Sequence, residues 1–434
     1  MPVPLLDLTR QHAPLEKAFK EAIDRVIASN QFVLGPDVKA LEAEVAAYCD
    51  CQYAVGLSSG TDALLVALMA MEIGPGDEVL CPSFTFFATA GSVARLGAVP
   101  VWVDVLPDTY NIDLADALDK VTEKTRAIIP VHLFGQAAEM ECVMAFAKKY
   151  NLRVLEDVAQ AIGARYGDQK VGSFGDFGAL SFYPTKNLGG FGDGGMLVTN
   201  DGDLAERAVW LRNHGMNPKY YHKYIGGNFR LDSIQAALLR IKLPHLEDYH
   251  AARAVHAEAY TANLKGHGGV ICPRIIPKAH SVWNQYTLRI PDKKRDAFRE
   301  HLASRGIGSE IYYPLGLHEQ ECFKGVGRGG DLQPVELPEL SHSGAPPEGK
   351  LHQMGEFRRR LGEQPVHQGP ELPVHDDEDE VAPAQLGIPS RRHRPVLPGH
   401  HGHQRPLGER EVPDPHPGRP RFLLDGVLHD VRIH

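Results

Sequence analysis

The sequence has no excess of positive charge and no long apolar run. Its 434 residues contain 46 Lys and Arg but 55 Asp and Glu, so the formal net charge is −9. Nucleic acids and anionic membranes reward clustered Lys and Arg, and neither is expected as the main partner. No run of about 18 apolar residues occurs, so no membrane span is expected. Since the opening MPVPLLDLTRQH lacks the basic stretch and apolar core of a signal peptide, we predict a cytoplasmic protein.

Cysteines are also few, and no two of them have Cys-x-x-Cys spacing. The six are Cys49, Cys51, Cys81, Cys142, Cys272 and Cys322. The single Cys-x-Cys pair is only a weak metal signal, so we expect free thiols in a reducing compartment and no metal site. Hydrophobic residues make up 43% and charged residues 23% of the chain, as in ordinary globular proteins.

Short apolar runs alternate with amphipathic helical patterns between residues 53 and 157. The apolar runs are YAVGL, EVLCP, PVWVDV, AIIPVHLFG and RVLED. Such alternation predicts parallel strands in one sheet, with helices on both faces. Helical periodicity precedes this region, and a Gly-rich, strand-like stretch follows from 171 to 200.

The pattern changes after residue 232. A long helix is predicted over 232–265, with a break near Pro244. WNQYTLRI and IGSEIYYP are then expected as strands, and DAFREHLASRG between them as a helix. We therefore divide the chain into a helical segment at 1–30, a large domain at 31–245 and a small α+β domain at 246–324.

The last quarter of the chain, residues 325–434, has a different composition. It holds 11 of the 22 His and 16 of the 32 Pro, but no Tyr, Trp, Cys or Asn. This Pro/His/Arg-rich tail is typical of disordered sequence. One hypothesis is a reading-frame shift near 324–330, which would leave the small domain incomplete and the chain prone to aggregate. A genuine extension is the alternative.

Two stretches carry residues suited to binding an anion and a cation. SSGTDALLVAL at 58–68 places Gly60 where a strand turns into a helix that starts at Thr61, and free amides at a helix start favour an anion. RVLEDVAQA ends a strand with Glu156 and Asp157, where open α/β sheets bind ligands. A carboxylate there suits a heterocyclic nitrogen cation. Ordinary capping of the next turn explains each motif as well.

Two further stretches suit an aldehyde and a flat ring. GALSFYPTKNLGGFGDGGMLVTND at 178–201 places Lys186 in a loop after a strand, with Ser181 before it and glycines after it. A lysine with a lowered pKa forms a Schiff base with an aldehyde, although most loop lysines are simply solvated. PSFTFFATA at 82–90 places Phe86 after a strand. Its ring suits a flat cofactor, although core packing is the commoner fate of Phe.

In this order, the motifs resemble those of the DegT/DnrJ/EryC1/StrS aminotransferases over about residues 3–324. The matching stretches are QFVLGPDVKALE, SSGTDAL, GPGDEVLCPSFTFFATA, PVHLFGQ, LEDVAQAIGA, SFYPTKNLGGFGDGGMLVTND, RNHG and GGNFRLDSIQAALL. The resemblance implies an α/β three-layer sandwich with a mainly parallel mixed sheet, fold type I of the pyridoxal-phosphate enzymes, plus a smaller C-terminal α+β domain. It also implies pyridoxal 5′-phosphate as the cofactor.

Residue roles follow from the same resemblance. Lys186 and Asp157 are the implied catalytic residues, the first holding the cofactor and moving a proton, the second paired with the protonated ring nitrogen. The other implied cofactor contacts are Phe86 on the ring, Gln160 near its 3-oxygen, Gly60, Thr61 and Ser181 at the phosphate, and Asn228 from a partner subunit. The implied substrate contacts are Arg230, Tyr313 and His318.

The resemblance implies ping-pong transfer of an amine from L-glutamate to a nucleotide-linked keto sugar. A homodimer with shared sites would carry it out, making amino sugars for a surface polysaccharide or a secondary metabolite. Related sugar dehydratases place His where Lys186 stands, so the lysine favours transamination. A non-catalytic regulator or sensor of the same fold is the other alternative, and the set of Asp157, Ser181 and Lys186 argues against it.

Overall fold

The structure is a computed structural model that describes residues 2–329. A seven-stranded sheet forms its centre. Its strands are β1 (Tyr53–Leu57), β2 (Glu78–Pro82), β3 (Val99–Val103), β4 (Thr125–Ile128), β5 (Arg153–Asp157), β8 (Phe177–Ser181) and β9 (Gly195–Thr199). Their order across the sheet is β1-β9-β8-β5-β4-β2-β3. A second, three-stranded sheet contains β6 (Arg165–Tyr166), β7 (Gln169–Lys170) and β10 (Ala279–His280).

Most pairs in the central sheet are parallel. Strands β3, β2, β4, β5 and β8 pair in parallel, and β9 lies antiparallel between β8 and β1. The predicted mainly parallel, mixed sheet is therefore confirmed. The five apolar runs between residues 53 and 157 all form strands, as their alternation with helices predicts.

Helices connect and cover these strands. They are α1 (Thr9–His12), α2 (Glu16–Ser29), α3 (Pro36–Tyr48), α4 (Gly60–Ala70), α5 (Ala88–Arg95), α6 (Leu114–Lys120), α7 (Met140–Tyr150), α8 (Gly202–Arg212), α9 (Ser233–Lys242), α10 (Leu246–Leu264) and α11 (Arg295–Ser304). Short 3-10 turns span Ala13–Leu15, Leu133–Gly135, Leu243–His245, Leu317–Glu319 and Glu321–Phe323. The turn at 243–245 contains the predicted break at Pro244.

Local chemistry sets several of these boundaries. Ser59, Asp201 and Asp232 cap α4, α8 and α9 by accepting backbone N–H groups from the first turn, which supplies partners that a helix start otherwise lacks. Helix α7 ends at Asn151, which adopts the left-handed conformation with φ 53°, as is usual for a helix C-cap.

The sheet separates two apolar cores. Leu80 of β2 packs into one core with residues of α3, α7 and α9, whereas its neighbours Val79 and Cys81 pack into the other with residues of α4, α5 and α8. Successive side chains of a strand point to opposite faces, so helices cover both faces of the sheet. The three-layer α/β architecture is the predicted one.

The two strands predicted at WNQYTLRI (283–290) and IGSEIYYP (307–314) are wrong. Each segment pairs at a single residue, Arg289 with Ile271 and Ile307 with Val3. A strand needs a neighbour along several residues, and within residues 2–329 neither segment has one. The helix predicted between them is confirmed as α11.

The last described residues pack against the edge strand β3. The Trp102 amide donates to the Arg328 carbonyl at 2.9 Å, and the Arg328 amide donates to the Pro100 carbonyl at 3.1 Å. The predicted disorder or frame shift at 325–434 falls almost wholly outside the described residues, and the domain boundaries remain predictions. Among residues 2–329, no helix is both long and apolar enough to cross a membrane.

Candidate active site

The candidate residues gather where the central strands end. Asp157 is the last residue of β5, and Ser181 is the last residue of β8. Gly195, which opens the antiparallel strand β9, pairs with Ser181. Because parallel strands end at one edge of a sheet, the loops that follow them meet there, and ligands of open α/β folds bind at this edge.

Asp157 is a buried carboxylate whose two oxygens both have donors. Asp157 is only 5% exposed. The Thr89 hydroxyl donates to Oδ2 at 2.8 Å, and the Ala159 amide donates to Oδ1 at 3.1 Å. Burial raises the pKa of Asp157 above its usual value, and the bonds from Thr89 and Ala159 and the charge of Lys186 oppose this shift. A cation placed against the carboxylate would relieve its lost hydration.

Lys186 faces this carboxylate from the loop after β8. Burial lowers the pKa of Lys186, and the nearby charge of Asp157 partly opposes the shift. A lowered pKa increases the neutral fraction of the amine, which is the form that attacks an aldehyde or takes up a proton. The backbone is held in a turn, since the Lys186 amide donates to the Tyr183 carbonyl at 2.8 Å.

An anion cradle forms at the start of α4. Ser59 accepts the Asp62 amide at 3.0 Å, while within the described part of the chain the amides of Gly60 and Thr61 donate no hydrogen bond. A Cβ on Gly60 would lie 2.6 Å from the Cβ of Ser181, so only glycine allows Ser181 to approach the helix start. Two free amides and a hydroxyl thus converge where the helix dipole favours negative charge.

Aromatic rings border the same space. The Phe86 ring remains exposed, at 56%, and its centroid lies 6.4 Å from that of Tyr313. Gln160 donates from Nε2 to the Tyr313 hydroxyl at 3.3 Å and accepts the Phe134 amide on Oε1 at 2.7 Å. Burial raises the pKa of Tyr313, so its hydroxyl stays protonated at neutral pH.

Three of the sequence-predicted residues, Asn228, Arg230 and His318, lie on segments other than the strand ends that carry Asp157 and Ser181. Asn228 is exposed, and Arg230 donates to Oδ1 of Asn213 at 2.6 Å. Their segment borders the anion cradle, since the Ser58 amide donates to the Phe229 carbonyl at 2.9 Å.

His318 is the third of these residues. It lies in the turn Leu317–Glu319, whose first amide donates to the Ser83 carbonyl at 2.6 Å. This bond places the turn beside the strand end that precedes Phe86. In the described part of the chain, Nδ1 of His318 is buried and has no hydrogen-bond partner.

A buried histidine–glutamate pair that the sequence did not predict supports Asp157. His132 and Glu156 are fully buried, and Nε2 of His132 lies 3.1 Å from Oε2 of Glu156. The Ala138 amide donates to Nδ1 at 3.0 Å, so the ring proton is on Nε2. The His132 amide donates to the Asp157 carbonyl at 3.1 Å. The only signals in the sequence were Glu156 next to Asp157 and a polar residue, Thr89, inside PSFTFFATA.

These residues fit pyridoxal 5′-phosphate. The cradle at Gly60, Thr61 and Ser181 suits its phosphate, and Asp157 suits a protonated ring nitrogen. Lys186 has the lowered pKa that Schiff-base formation requires. The exposed ring of Phe86 offers a flat surface to the heterocycle.

Comparisons with known proteins agree with this geometry. The family model for the DegT/DnrJ/EryC1/StrS aminotransferase family matches residues 14–335. A relative from Geobacillus stearothermophilus, named pleiotropic regulatory protein, is 49% identical over 77% of this chain and 91% of its own length. A relative from Acidithiobacillus ferrooxidans, named UDP-N-acetyl-3-dehydro-alpha-D-glucosamine 3-aminotransferase, is 46% identical over 74% of this chain and 86% of its own length.

Solved structures share the fold. The crystal structure of DesV from S. venezuelae has a TM-score of 0.73 and 41% identity, covering 82% of this chain and 91% of that chain. NtdA from Bacillus subtilis, solved with the bound cofactor PMP, has a TM-score of 0.68 and 30% identity over 74% of each chain. The predicted fold class is therefore confirmed. The chain belongs to the DegT/DnrJ/EryC1/StrS aminotransferase family, and its cofactor is pyridoxal 5′-phosphate.

Proposed function

We propose that the chain transfers the amino group of L-glutamate to a nucleotide-linked keto sugar, at a site built on Lys186 and Asp157. The observation that carries this proposal is the buried carboxylate of Asp157 facing a lysine whose pKa is lowered by burial. An acid with a raised pKa and an amine with a lowered pKa at one sheet edge are suited to proton transfer. The Acidithiobacillus relative, named as an aminotransferase of a nucleotide-linked dehydro sugar, supports the substrate class.

The proposed roles follow from where each group lies. The chemistry that pyridoxal phosphate supplies when bound is capture of an amine and withdrawal of electrons into its ring. Asp157 pairs with the ring nitrogen and keeps it protonated. Nζ of Lys186 takes the proton from the α-carbon of the amino donor and returns a proton in the reverse half of the cycle. Phe86 stacks on the ring, and Gln160 lies near its 3-oxygen.

Substrates would react in two half-reactions. L-glutamate binds first, leaves its amine on the enzyme and departs as 2-oxoglutarate. The keto sugar then enters and leaves with that amine. Arg230, Tyr313 and His318 are the proposed substrate contacts. Tyr313 is the best supported of them, because its hydroxyl lies at the end of the Gln160 side chain.

We further propose a cytoplasmic homodimer in which Asn228 reaches the phosphate of the partner subunit. The side chains that precede it in the loop support an interface, since Tyr220, Tyr221 and Ile225 are 76%, 71% and 94% exposed. Exposed apolar groups of this size are typical of contact surfaces. The product would be an amino sugar for a surface polysaccharide or a secondary metabolite.

The decisive test is covalent trapping of the cofactor, followed by peptide mapping. Borohydride reduction of the protein with bound pyridoxal phosphate is expected to label Lys186. Lys242 is the natural competitor, because burial lowers its pKa to about 8 and its Nζ donates to the Gly189 carbonyl at 2.6 Å. A Lys242→Met protein should label like the parent, and a Lys186→Met protein should not label. A label on Lys242, or on no lysine, would overturn the assignment.

Substrate class is tested by supplying keto-sugar nucleotides together with L-glutamate. The expected result is an amino sugar and an equal amount of 2-oxoglutarate. An enzyme that aminates only free keto acids would contradict the sugar assignment and leave the Lys186 assignment intact.

A regulatory function is the second candidate, favoured by the name of the Geobacillus relative, pleiotropic regulatory protein. A sensor would bind the cofactor without turnover. The two functions differ in absorbance: a transaminase with bound cofactor changes its visible spectrum when L-glutamate is added. A spectrum that responds to no amino donor would favour the sensor.

A further inference from the structure

We propose that Thr89 is a positioning residue that holds the Asp157 carboxylate for the ring nitrogen of the cofactor. This inference rests on the role proposed above for Asp157. Thr89 does not face the cofactor in this proposal. It acts through the carboxylate, by fixing its plane and keeping it ionised.

Thr89 and Asp157 are joined by a buried hydrogen bond of ordinary length. Thr89 lies in the first turn of α5 and is fully buried. Its Oγ1 lies 2.8 Å from Oδ2 of Asp157. The other carboxylate oxygen takes the Ala159 amide. One donor on each oxygen fixes the rotation of the carboxylate, and each oxygen keeps a lone pair for a further partner.

Thr89 also joins two parts of the site. Its backbone amide donates to the Phe86 carbonyl at 3.3 Å, while its hydroxyl reaches Asp157. The residue proposed to stack on the ring and the residue proposed to pair with the ring nitrogen are therefore held by one side chain and its own backbone. A substitution at Thr89 that removes only the hydroxyl breaks the second link and keeps the first.

The charged groups around Asp157 explain why a donor is needed. Lys186 and His132 face it, and both favour the ionised carboxylate when they carry charge. Nε2 of His132 is already engaged by Glu156. Burial favours the neutral acid, and the bond from Thr89 is the largest influence that lowers the pKa of Asp157 again. A neutral carboxyl group could not pair with a ring cation.

The experiment compares two ligands on matched variants. The ligands are pyridoxal phosphate and its analogue with C–H in place of the ring nitrogen. Thr89→Val removes the hydroxyl and keeps the shape, and Thr89→Ser restores the hydroxyl. Thr199→Val is the control, because Thr199 is equally buried and its hydroxyl donates to the Asp176 carbonyl at 2.6 Å. Dissociation constants are measured by equilibrium dialysis.

Thr89→Val is expected to weaken pyridoxal phosphate binding about tenfold and to leave binding of the analogue unchanged. Thr89→Ser should bind both ligands like the parent, and so should Thr199→Val. An equal loss for both ligands would mean that Thr89 is merely structural, and no loss would overturn its role altogether. If Thr89→Val does not fold by circular dichroism, Thr89→Ala provides the same comparison.

Asp157→Asn separates this proposal from the proposed function. If Asp157 pairs with the ring nitrogen, this variant loses affinity for pyridoxal phosphate but not for the analogue. If it loses neither or both, the role of Asp157 fails. If Asp157→Asn behaves as expected while Thr89→Val does not discriminate between the ligands, only the role of Thr89 fails.

Discussion

Asn187 donates a hydrogen bond from Nδ2 to the carbonyl of Val282, at 2.9 Å across 95 residues of chain. Its Oδ1 accepts a second bond, from Nδ2 of Asn284 at 2.7 Å. Asn187 directly follows Lys186 and is only 2% exposed. The position of Lys186, the lysine proposed to hold the cofactor, therefore depends on a segment that lies far along the chain.

Replacing Asn187 by Leu keeps the size of the side chain and removes both bonds. The Val282 carbonyl and the Asn284 amide would then be buried without partners, so we expect a loss of about 2–3 kcal/mol in the free energy of unfolding. Urea denaturation measures this loss. Asn284→Leu supplies a double-mutant cycle, in which the two changes should be non-additive by at least about 0.5 kcal/mol. Additive losses would mean that the two amides do not interact.

Asp157 is expected to make the protein without cofactor less stable. Burial raises the pKa of this carboxyl group, so the folded state binds its proton more tightly than the unfolded state does. For a raised acid pKa, the cost is absent below the unfolded value of about 3.9 and grows as pH rises through the folded value. Asp157→Asn should therefore raise the Tm of the cofactor-free protein at neutral pH, by about 2 °C for each kcal/mol relieved.

The same variant should match the parent in Tm below about pH 3, where the aspartic acid is largely neutral in both states. The Thr89 hydroxyl can rotate to accept a bond from the new amide, so the substitution leaves no donor facing a donor. An Asp157→Asn protein that melts below the parent at pH 7 would contradict this prediction. Such stability gained at the expense of function is common at binding sites.

The fold was predictable wherever local periodicity and long-range packing agree. EVLCP and RVLED form strands inside the parallel part of the sheet, where an apolar run between two helices can be buried on both faces. YAVGL also forms a strand, at the edge of the sheet and antiparallel to β9. The strand predicted at WNQYTLRI is wrong because its local pattern and its long-range packing do not agree. Its residues favour a strand, yet a ladder also needs a neighbour, and the pattern of one segment cannot supply one.

Only part of the candidate site was predictable from the sequence. Lys186, Asp157 and Gly60 stand in short motifs that are weak signals one by one, and their predicted roles came from the resemblance of the ordered series to one family. Thr89 was not predictable, since its partner Asp157 lies 68 residues away and nothing local distinguishes a buried hydroxyl that binds a carboxylate from one that binds a peptide carbonyl. Pairings over such distances become visible only once the strands are assembled.

Glu156→Gln is expected to be severely destabilising. Oε1 accepts the amides of Phe174 and Gly175 at 2.9 and 2.8 Å, and Oε2 accepts the Gly172 amide at 2.7 Å and faces the protonated Nε2 of His132. An amide nitrogen in either position would face two donors, and a flip of the side chain only exchanges them. We expect a loss of at least about 3 kcal/mol, measured by thermal unfolding of the cofactor-free protein.

The control for this prediction is Glu247→Gln. Glu247 is exposed and accepts one hydrogen bond, from the Tyr48 hydroxyl at 2.7 Å. An amide oxygen can accept that bond as well as a carboxylate can, so its loss should stay below about 1 kcal/mol. Equal and small losses for both variants would mean that the network beneath Asp157 rearranges freely.

The ion pair between Glu78 and Arg328 should make stability depend on pH. Nε and Nη2 of Arg328 donate to the two carboxylate oxygens at 3.0 and 2.8 Å, and the Thr122 hydroxyl adds a bond at 2.6 Å. Burial would raise the pKa of Glu78, but the bonds from Thr122 and Arg328 outweigh it and lower the pKa. The stabilisation is thus present above the unfolded value of about 4.3 and is lost as pH falls through the folded value.

Arg328→Met keeps much of the aliphatic stem and removes the donors, so we expect a loss of about 1–2 kcal/mol at pH 7. Below about pH 4 the loss should shrink to the part that comes from the bond of Nη2 to the Lys120 carbonyl, 2.6 Å, which does not depend on pH. Lys20→Met is the matched control, because its pair with Glu16 is exposed on both sides and should contribute nothing measurable to stability. A loss that is equal at pH 3 and pH 7 would refute the ion pair. A loss that is larger at pH 7 than at pH 3 would support it.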